Sequence, residues 1–283
     1  MLSIAIAFFA YSLIDVAKTI QKVGIHTWSS SRLKGALIWS AGILGGTVSS
    51  FLILYAVSIG SVIMVGSLAG TGMVAMLIIA RITLHEKAGP FQLAAVGLII
   101  AGPFLMAGAA SYSVGIVFRS RILWLFIAAV LLPCITGIAV FRKRRGLGII
   151  LAAAGGILSG LVVVFQKLAG SHIGREAAVA IRFSEHTPEF IQTVLEVLLN
   201  PYSVAWIVLS IIATAALQFA HRIEQAVRSI PVFNAGVILT PVLAGLFVFS
   251  ETLQPLQWTG VASIFAGIIL LIIKPPKAVE TMV

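Results

Sequence analysis

One carboxylate of this sequence lies well inside a long apolar stretch, which makes it the first candidate for chemistry. Asp15 stands in the first apolar run and is followed by Lys18 three residues later. A charge at that depth costs several kcal/mol unless it is paired or solvated, so it marks a candidate site. Asp15 could carry a proton until a cation displaces it, or attract a cation directly. An ion pair with Lys18 on the same helix face is the alternative, and the sequence leaves both open.

Other polar residues lie on the predicted membrane spans and could converge on a pathway near mid-membrane. Hydrogen bonding between helices is the alternative for each of them, because small polar residues do this routinely. Gln166 and Asn234 are the strongest candidates, since an amide side chain both donates and accepts. The candidate pathway residues are Asp15, Lys18, Thr71, Ser159, Gln166, Gln218 and Asn234.

Glycine and proline mark two spans as candidate hinges. One span carries Gly66 and Gly70, and a later span carries Pro231 and Pro241. Proline kinks a helix and glycine permits close backbone approach. Interrupted helices often surround the substrate in transporters, whereas close packing is the alternative for the glycines.

A repeated segment organises the chain. Residues 85–102 and 250–267 share seven identities in eighteen positions at a shift of 165. Each copy has an acidic elbow, Glu86 or Glu251, before a proline and an apolar run. The position before a proline-started helix favours a capping role for these acids over ion binding.

Composition places the chain among helical membrane proteins. It is 60% hydrophobic and only 10% charged, with a mean hydropathy of +1.11. Apolar runs near the length needed to cross a bilayer recur throughout, and Cys134 has no partner for an internal disulfide. The first run has no basic leader and carries Asp15, so we expect a retained helix. The predicted spans are 2–20, 35–57, 61–83, 91–110, 122–140, 147–168, 203–222, 228–249 and 256–273.

The basic residues predict the orientation of these nine spans. Fourteen Lys and Arg residues fall on one side of the predicted topology and five on the other. The richer side should be cytoplasmic, which puts the N-terminus outside and the C-terminus inside. The odd fifth span then inverts the second four-helix repeat relative to the first, a common construction of secondary transporters. The predicted divisions are 1–111, the first repeat; 112–146, a linking helix and basic loop; 147–274, the inverted repeat; and 275–283, a cytoplasmic tail.

The longest predicted connection, about 169–202, lies outside the cell in this topology. Thr187-Pro188-Glu189 is a favourable helix start, so we expect a short interfacial helix near 188–199.

Several segments resemble known transporters. A four-span unit with an acidic elbow before its last span resembles the drug/metabolite transporter superfamily, which includes EamA-type proteins. The strings WSAGIL at 39–44, HEK at 85–87 and QKLAG at 166–170 resemble the NIPA-type magnesium transporters. The first span around Asp15 is similar to the small multidrug resistance proteins, which place a membrane-embedded acid near this point.

The resemblance implies a secondary transporter or facilitator that moves a small solute or cation, with Mg²⁺ as a candidate, across the plasma membrane by alternating access. Asp15 is then the candidate metal ligand. A proton-coupled exporter of organic or cationic metabolites is the alternative. In a different class, a membrane enzyme would need two converging catalytic groups at depth, whereas a structural subunit would need no wet cavity.

No phosphate loop, Cys/His metal spacing or Ser-His-Asp arrangement stands out, so neither an enzyme nor a cofactor is expected. The expected partners are the lipid bilayer, the transported solute and, for an exporter, protons. Nucleic acid is not expected despite a pI near 10.3, because the basic residues cluster at span ends. A homodimer is one possible assembly, which the sequence does not decide.

Overall fold

The computed structural model describes residues 2–70, 89–108, 120–141, 146–179, 199–224 and 226–273, and every regular element in those ranges is helical. A 3₁₀ turn, Leu68–Gly70, follows the third helix. The helices are α1 (Leu2–Thr27), α2 (Arg32–Ser58), α3 (Val62–Ser67), α4 (Pro90–Gly108), α5 (Ser120–Phe141), α6 (Leu147–Val179), α7 (Pro201–Ile223), α8 (Ala226–Phe247) and α9 (Pro255–Ile273).

The outer surface of this bundle is apolar, as a lipid-embedded surface must be. Within the described ranges, six helices are long and apolar enough to cross a membrane by length and composition. On α5, Trp124 and Leu125 are 66% and 70% exposed. Soluble proteins rarely expose contiguous apolar surface of this extent, so the helices indicate a multi-pass membrane protein.

Two helices run further than the hydropathy pattern predicts. α1 continues to Thr27 instead of ending near residue 20, and α6 continues to Val179 instead of ending near residue 168. The apolar run sets only the part of a helix that lipid can cover. No proline follows either run to stop the backbone hydrogen bonds, so each helix extends beyond it. The interfacial helix predicted near 188–199 lies almost wholly outside the described residues.

The region of the predicted third span begins with a short α-helix, which is followed by a more tightly wound turn. α3 ends at Ser67, and the 3₁₀ turn Leu68–Gly70 follows. The space that a side chain on Gly66 would occupy is filled by the ring of Pro241 from α8. Gly66 is therefore a site of close packing between this segment and α8. Pro231 and Pro241 both lie inside α8, which stays helical through them.

α4 and α9 pack against each other in opposite directions. Ser263 Oγ donates a hydrogen bond to the Leu98 carbonyl oxygen at 2.7 Å. Gln257 Nε2 donates to the Met106 carbonyl oxygen at 3.3 Å. The later residue of α4, Met106, meets the earlier residue of α9, Gln257, so the two helices are antiparallel.

Glycines bring the two backbones of this pair close together at two places. A Cβ on Gly102 would lie 2.7 Å from the Gly260 carbonyl oxygen, and one on Gly267 would lie 2.6 Å from the Ala95 carbonyl oxygen. Both separations are shorter than ordinary van der Waals contact, so only glycine fits. The shift of 165 positions that relates Gly102 to Gly267 also relates Ala95 to Gly260. The two contacts are therefore equivalent under the sequence repeat.

Two buried charges from α6 and from the segment before α9 hold the turn between α2 and α3. Lys167 Nζ donates to the carbonyl oxygens of Val57 at 3.0 Å and Gly60 at 2.7 Å, at the end of α2. Glu251 accepts from the backbone N–H groups of Val62 and Ile63, both at 3.0 Å.

These bonds match each charge to the helix end of opposite polarity. The carbonyl end of a helix carries partial negative charge and its amide end partial positive charge. Ser61 adds its hydroxyl, which donates to Glu251 Oε2 at 2.8 Å and also caps α3. We call Lys167, Glu251 and the backbone of residues 57–63 the junction clamp. Glu251 thus caps a helix of the other repeat, whereas Gln257 accepts from the backbone N–H of Gln254 before α9.

Replacing the acid of the junction clamp should destabilise the protein strongly. Glu251→Ala leaves two buried amide groups at the start of α3 without an acceptor, and we expect a loss of about 3–5 kcal/mol in the free energy of unfolding. The measurement is SDS-induced unfolding in mixed micelles, followed by circular dichroism.

The control is Lys34→Ala, which removes an exposed charge at the start of α2. That variant should lose at most about 1 kcal/mol. Equal losses for the two variants would contradict the role of the clamp.

Candidate functional site

A cavity of about 650 Å³ lies among helices that the sequence assigns to two predicted repeats. α1 and α2 line it from the first repeat, and α6, α7 and α8 line it from the second. α1 packs on α2, α6 packs on α7 and α8, and α2 meets α6, which places the cavity among all five. Its volume suits a small organic molecule, since ligand sites commonly fall between about 300 and 1,000 Å³.

Aromatic side chains form much of the cavity wall. Phe51 of α2 and Trp206 of α7 meet edge to face, with ring centroids 5.9 Å apart and planes at 89°. Tyr11, Trp39 and Phe233 contribute further rings. Such surfaces bind apolar and planar groups through burial and ring stacking.

Lys18 is the one charged side chain that lines the cavity among the described residues. Its ammonium lies 2.8 Å from Asp15 Oδ1 and 4.7 Å from the centroid of the Phe233 ring. Asp15 itself is fully buried and does not line the cavity, whereas 14% of the Lys18 side chain is exposed. The structure therefore contains the ion pair that the sequence offered as one of two alternatives, and of its two members Lys18 lines the cavity.

Four buried polar atoms on cavity-lining residues lack a hydrogen-bond partner within the described part of the chain. Tyr11 Oη and Trp206 Nε1 can donate, and the Oε1 atoms of Gln166 and Gln218 can accept. An unpaired buried polar group costs about 1–3 kcal/mol, so a polar ligand or water that reached these four atoms would be stabilised by them.

The same two glutamines connect the repeats across the cavity. Gln166 Nε2 donates to the Ser50 carbonyl oxygen of α2 at 3.0 Å. Gln218 Nε2 donates to Gln21 Oε1 of α1 at 2.8 Å. Each bond joins a helix of one repeat to a helix of the other, so relative motion of the repeats would break both.

The structure brings four of the predicted pathway residues to the cavity, namely Lys18, Ser159, Gln166 and Gln218. Asn234 is fully buried in α8 next to Phe233 but does not line it, and within the described residues its amide has no partner. Thr71 and Glu86 lie outside the described residues.

Sequence reasoning missed the aromatic wall and the role of Lys167. A tryptophan or phenylalanine on an apolar span has the same sequence signal whether it faces lipid or a cavity. For Lys167, a signal was present: the dipeptide Gln166-Lys167 repeats Gln21-Lys22 at the end of each repeat's first span.

The described residues contain no group of three or more His, Cys, Asp or Glu side chains that could hold a metal ion. Asp15, the predicted metal ligand, accepts a hydrogen bond from Lys18, and its role as a metal ligand stays a prediction. No protein-family model, curated protein or solved structure matches the chain, so the function must be argued from this site.

The Asp15–Lys18 pair should behave as a coupled unit in stability measurements. Lys18→Met leaves a carboxylate buried without its partner, so we expect the free energy of unfolding to fall by about 3 kcal/mol. The double variant Asp15→Leu/Lys18→Met removes both charges and should recover most of that loss. SDS titration of the purified protein measures both values.

Lys34→Met, which removes an exposed lysine at the start of α2, is the control and should change little. Additive losses in the double variant would contradict the coupling.

Proposed function

We propose that this chain is a secondary transporter or facilitator of the drug/metabolite type, which moves a small organic solute across the plasma membrane by alternating access. The observation that carries the proposal is the cavity among helices of the two predicted repeats, which is lined by aromatic, aliphatic and polar side chains, four of which carry a buried polar atom that has no partner within the described residues. A membrane enzyme would need reacting groups converging there, and a structural subunit would need no such cavity.

The inverted repeat is supported by the crossing of α4 and α9. Both helices begin at equivalent prolines of the sequence repeat, and they run antiparallel through contacts that the same shift of 165 positions relates. If both cross the bilayer, equivalent segments cross it in opposite directions. A topology of nine spans is consistent with both this crossing and the distribution of basic residues. It puts the N-terminus outside and the C-terminus in the cytoplasm.

The cavity lining favours an organic solute over Mg²⁺. Mg²⁺ needs oxygen ligands in octahedral geometry and is usually held by one or two carboxylates. The described lining presents no carboxylate and one ammonium, that of Lys18. An organic solute can use the aromatic wall and the unpaired hydrogen-bonding atoms. The organic solute of the sequence's second alternative is therefore the one proposed, and proton coupling through Asp15 stays a prediction.

The junction clamp supplies a closing contact for one mouth of the transport pathway. Its backbone belongs to the first repeat and its two charges to the second, so the bonds hold the repeats together at that end. In the predicted topology α2 ends outside the cell. Rocking of the repeats would break these charge-assisted bonds and expose the cavity outwards, while the opposite mouth closes.

A disulfide lock across the clamp tests this mechanism without knowledge of the solute. A Cβ on Gly170 would lie 2.7 Å from Ser58 Cβ, so Ser58→Cys and Gly170→Cys can be bridged after a small adjustment. In a Cys134→Ser background, Ser210→Cys on the cavity wall reports access to a membrane-impermeant maleimide in proteoliposomes. Without the lock, we expect labelling from both faces.

With the lock oxidised, labelling from the external face should disappear and labelling from the cytoplasmic face should remain, with recovery after reduction. The control pair is Gly148→Cys and Glu224→Cys, which joins α6 and the end of α7 within one repeat at a Cβ separation of 2.6 Å. That pair should leave both labelling rates unchanged. Persistent labelling from both faces through the oxidised lock would refute alternating access at this mouth.

A further inference from the structure

The charge distribution around the cavity is asymmetric, and this asymmetry restricts the solute. Lys18 lines the cavity and its ammonium lies 4.7 Å from the centroid of the Phe233 ring, which also lines it, while the paired carboxylate of Asp15 is fully buried and does not line the cavity. An ammonium has three N–H donors, of which Asp15 Oδ1 takes one. Within the described residues, the other two N–H groups have no partner and can donate to a ligand.

Two further donors lie on the same wall. Tyr11 Oη, one turn before Asp15 on α1, and Trp206 Nε1 of α7 are buried and unpaired within the described residues. Donors that meet a carboxylate form hydrogen bonds about twice as strong as those to a neutral acceptor. The electrostatic preference of the cavity is therefore for an anionic oxygen group near Lys18.

The rest of the wall requires an apolar body on the same molecule. Phe233 lies beside the Lys18 ammonium, and Phe51, Trp39 and Trp206 extend the aromatic surface from there. A small inorganic anion would leave this surface in contact with water. A hydrated cation would meet the ammonium of Lys18 before any carboxylate.

We propose that the cavity binds a small organic acid, with its carboxylate on Lys18 and its apolar or aromatic body against the Phe51, Trp206 and Phe233 rings. This inference rests on the proposed transport function for its biological meaning, although binding can be measured without transport. Lys18 is then the residue that determines specificity for charge.

Three ligands of one shape and different charge test the proposal. Phenylacetate, phenylacetamide and 2-phenylethylamine are titrated against the purified full chain by isothermal calorimetry, with MgCl₂ as a fourth titrant. We expect phenylacetate to bind at least about 10-fold more tightly than the amide, which matches the usual strength of a hydrogen bond to a charged group. The amine and Mg²⁺ should bind more weakly than the amide.

Variants of Lys18 test whether this residue causes the preference for the acid over the amide. Lys18→Met should weaken phenylacetate binding by about 10-fold and change phenylacetamide binding less than about 2-fold, whereas Lys18→Arg should keep the preference for the acid. If Lys18→Met does not fold, the ligand series on the unmodified chain still tests the proposal.

Tightest binding of the amine or of Mg²⁺, no binding of any of the three organic ligands, or equal losses for acid and amide in Lys18→Met would overturn the proposal. The disulfide lock reports separately on alternating access. If the ligand series fails while the lock still abolishes labelling from one face, the substrate class is wrong and the transport mechanism stands.

Discussion

The architecture depends on two buried charges placed at helix ends of opposite polarity. Lys167 meets the carbonyl end of α2, and Glu251 meets the amide end of α3. A charge removed from water this far costs several kcal/mol, and only several well-aligned hydrogen bonds can offset that cost. Because the charges lie on α6 and before α9 while the helix ends belong to α2 and α3, this contact joins segments that the sequence assigns to different predicted repeats. It also fixes the turn from which α3 and the 3₁₀ turn start.

The clamp and the cavity share two helices. α2 and α6, which the clamp joins, both line the cavity of about 650 Å³. Gln166 and Gln218 also line it and bond to α2 and α1, so the same polar residues that line the cavity hold these helices together. A solute that competes for these amides would weaken the contacts that hold the repeats together. Binding and opening are thereby linked by shared hydrogen bonds.

Hydropathy and proline positions predicted the start of each described helix to within three residues, because lipid imposes one rule on every span, but α1 and α6 end well beyond their predicted ends. The same patterns were insufficient for the partners of the polar residues. Glu251 was expected to act as a cap, but its partner Ser61 lies 190 positions away, beyond the reach of local pattern. The direction of a side chain on an all-apolar helix also carries no periodic signal, so Trp206 could not be assigned to the cavity. For Asp15, the sequence offered pairing or function, and only geometry showed the bond to Lys18.

The central claim is that two equivalent units lie inverted in the bilayer, and the sidedness of two equivalent residues tests it most directly. Phe91 at the start of α4 and Leu256 at the start of α9 are related by the 165-residue shift, and both are nearly half exposed. Single cysteines at these positions, in a Cys134→Ser background, are labelled in sealed vesicles with an impermeant maleimide added to one face at a time. The account predicts that Phe91→Cys reacts from the cytoplasmic face and Leu256→Cys from the external face. Reaction of both from the same face would contradict the inverted repeat and the transport mechanism built on it.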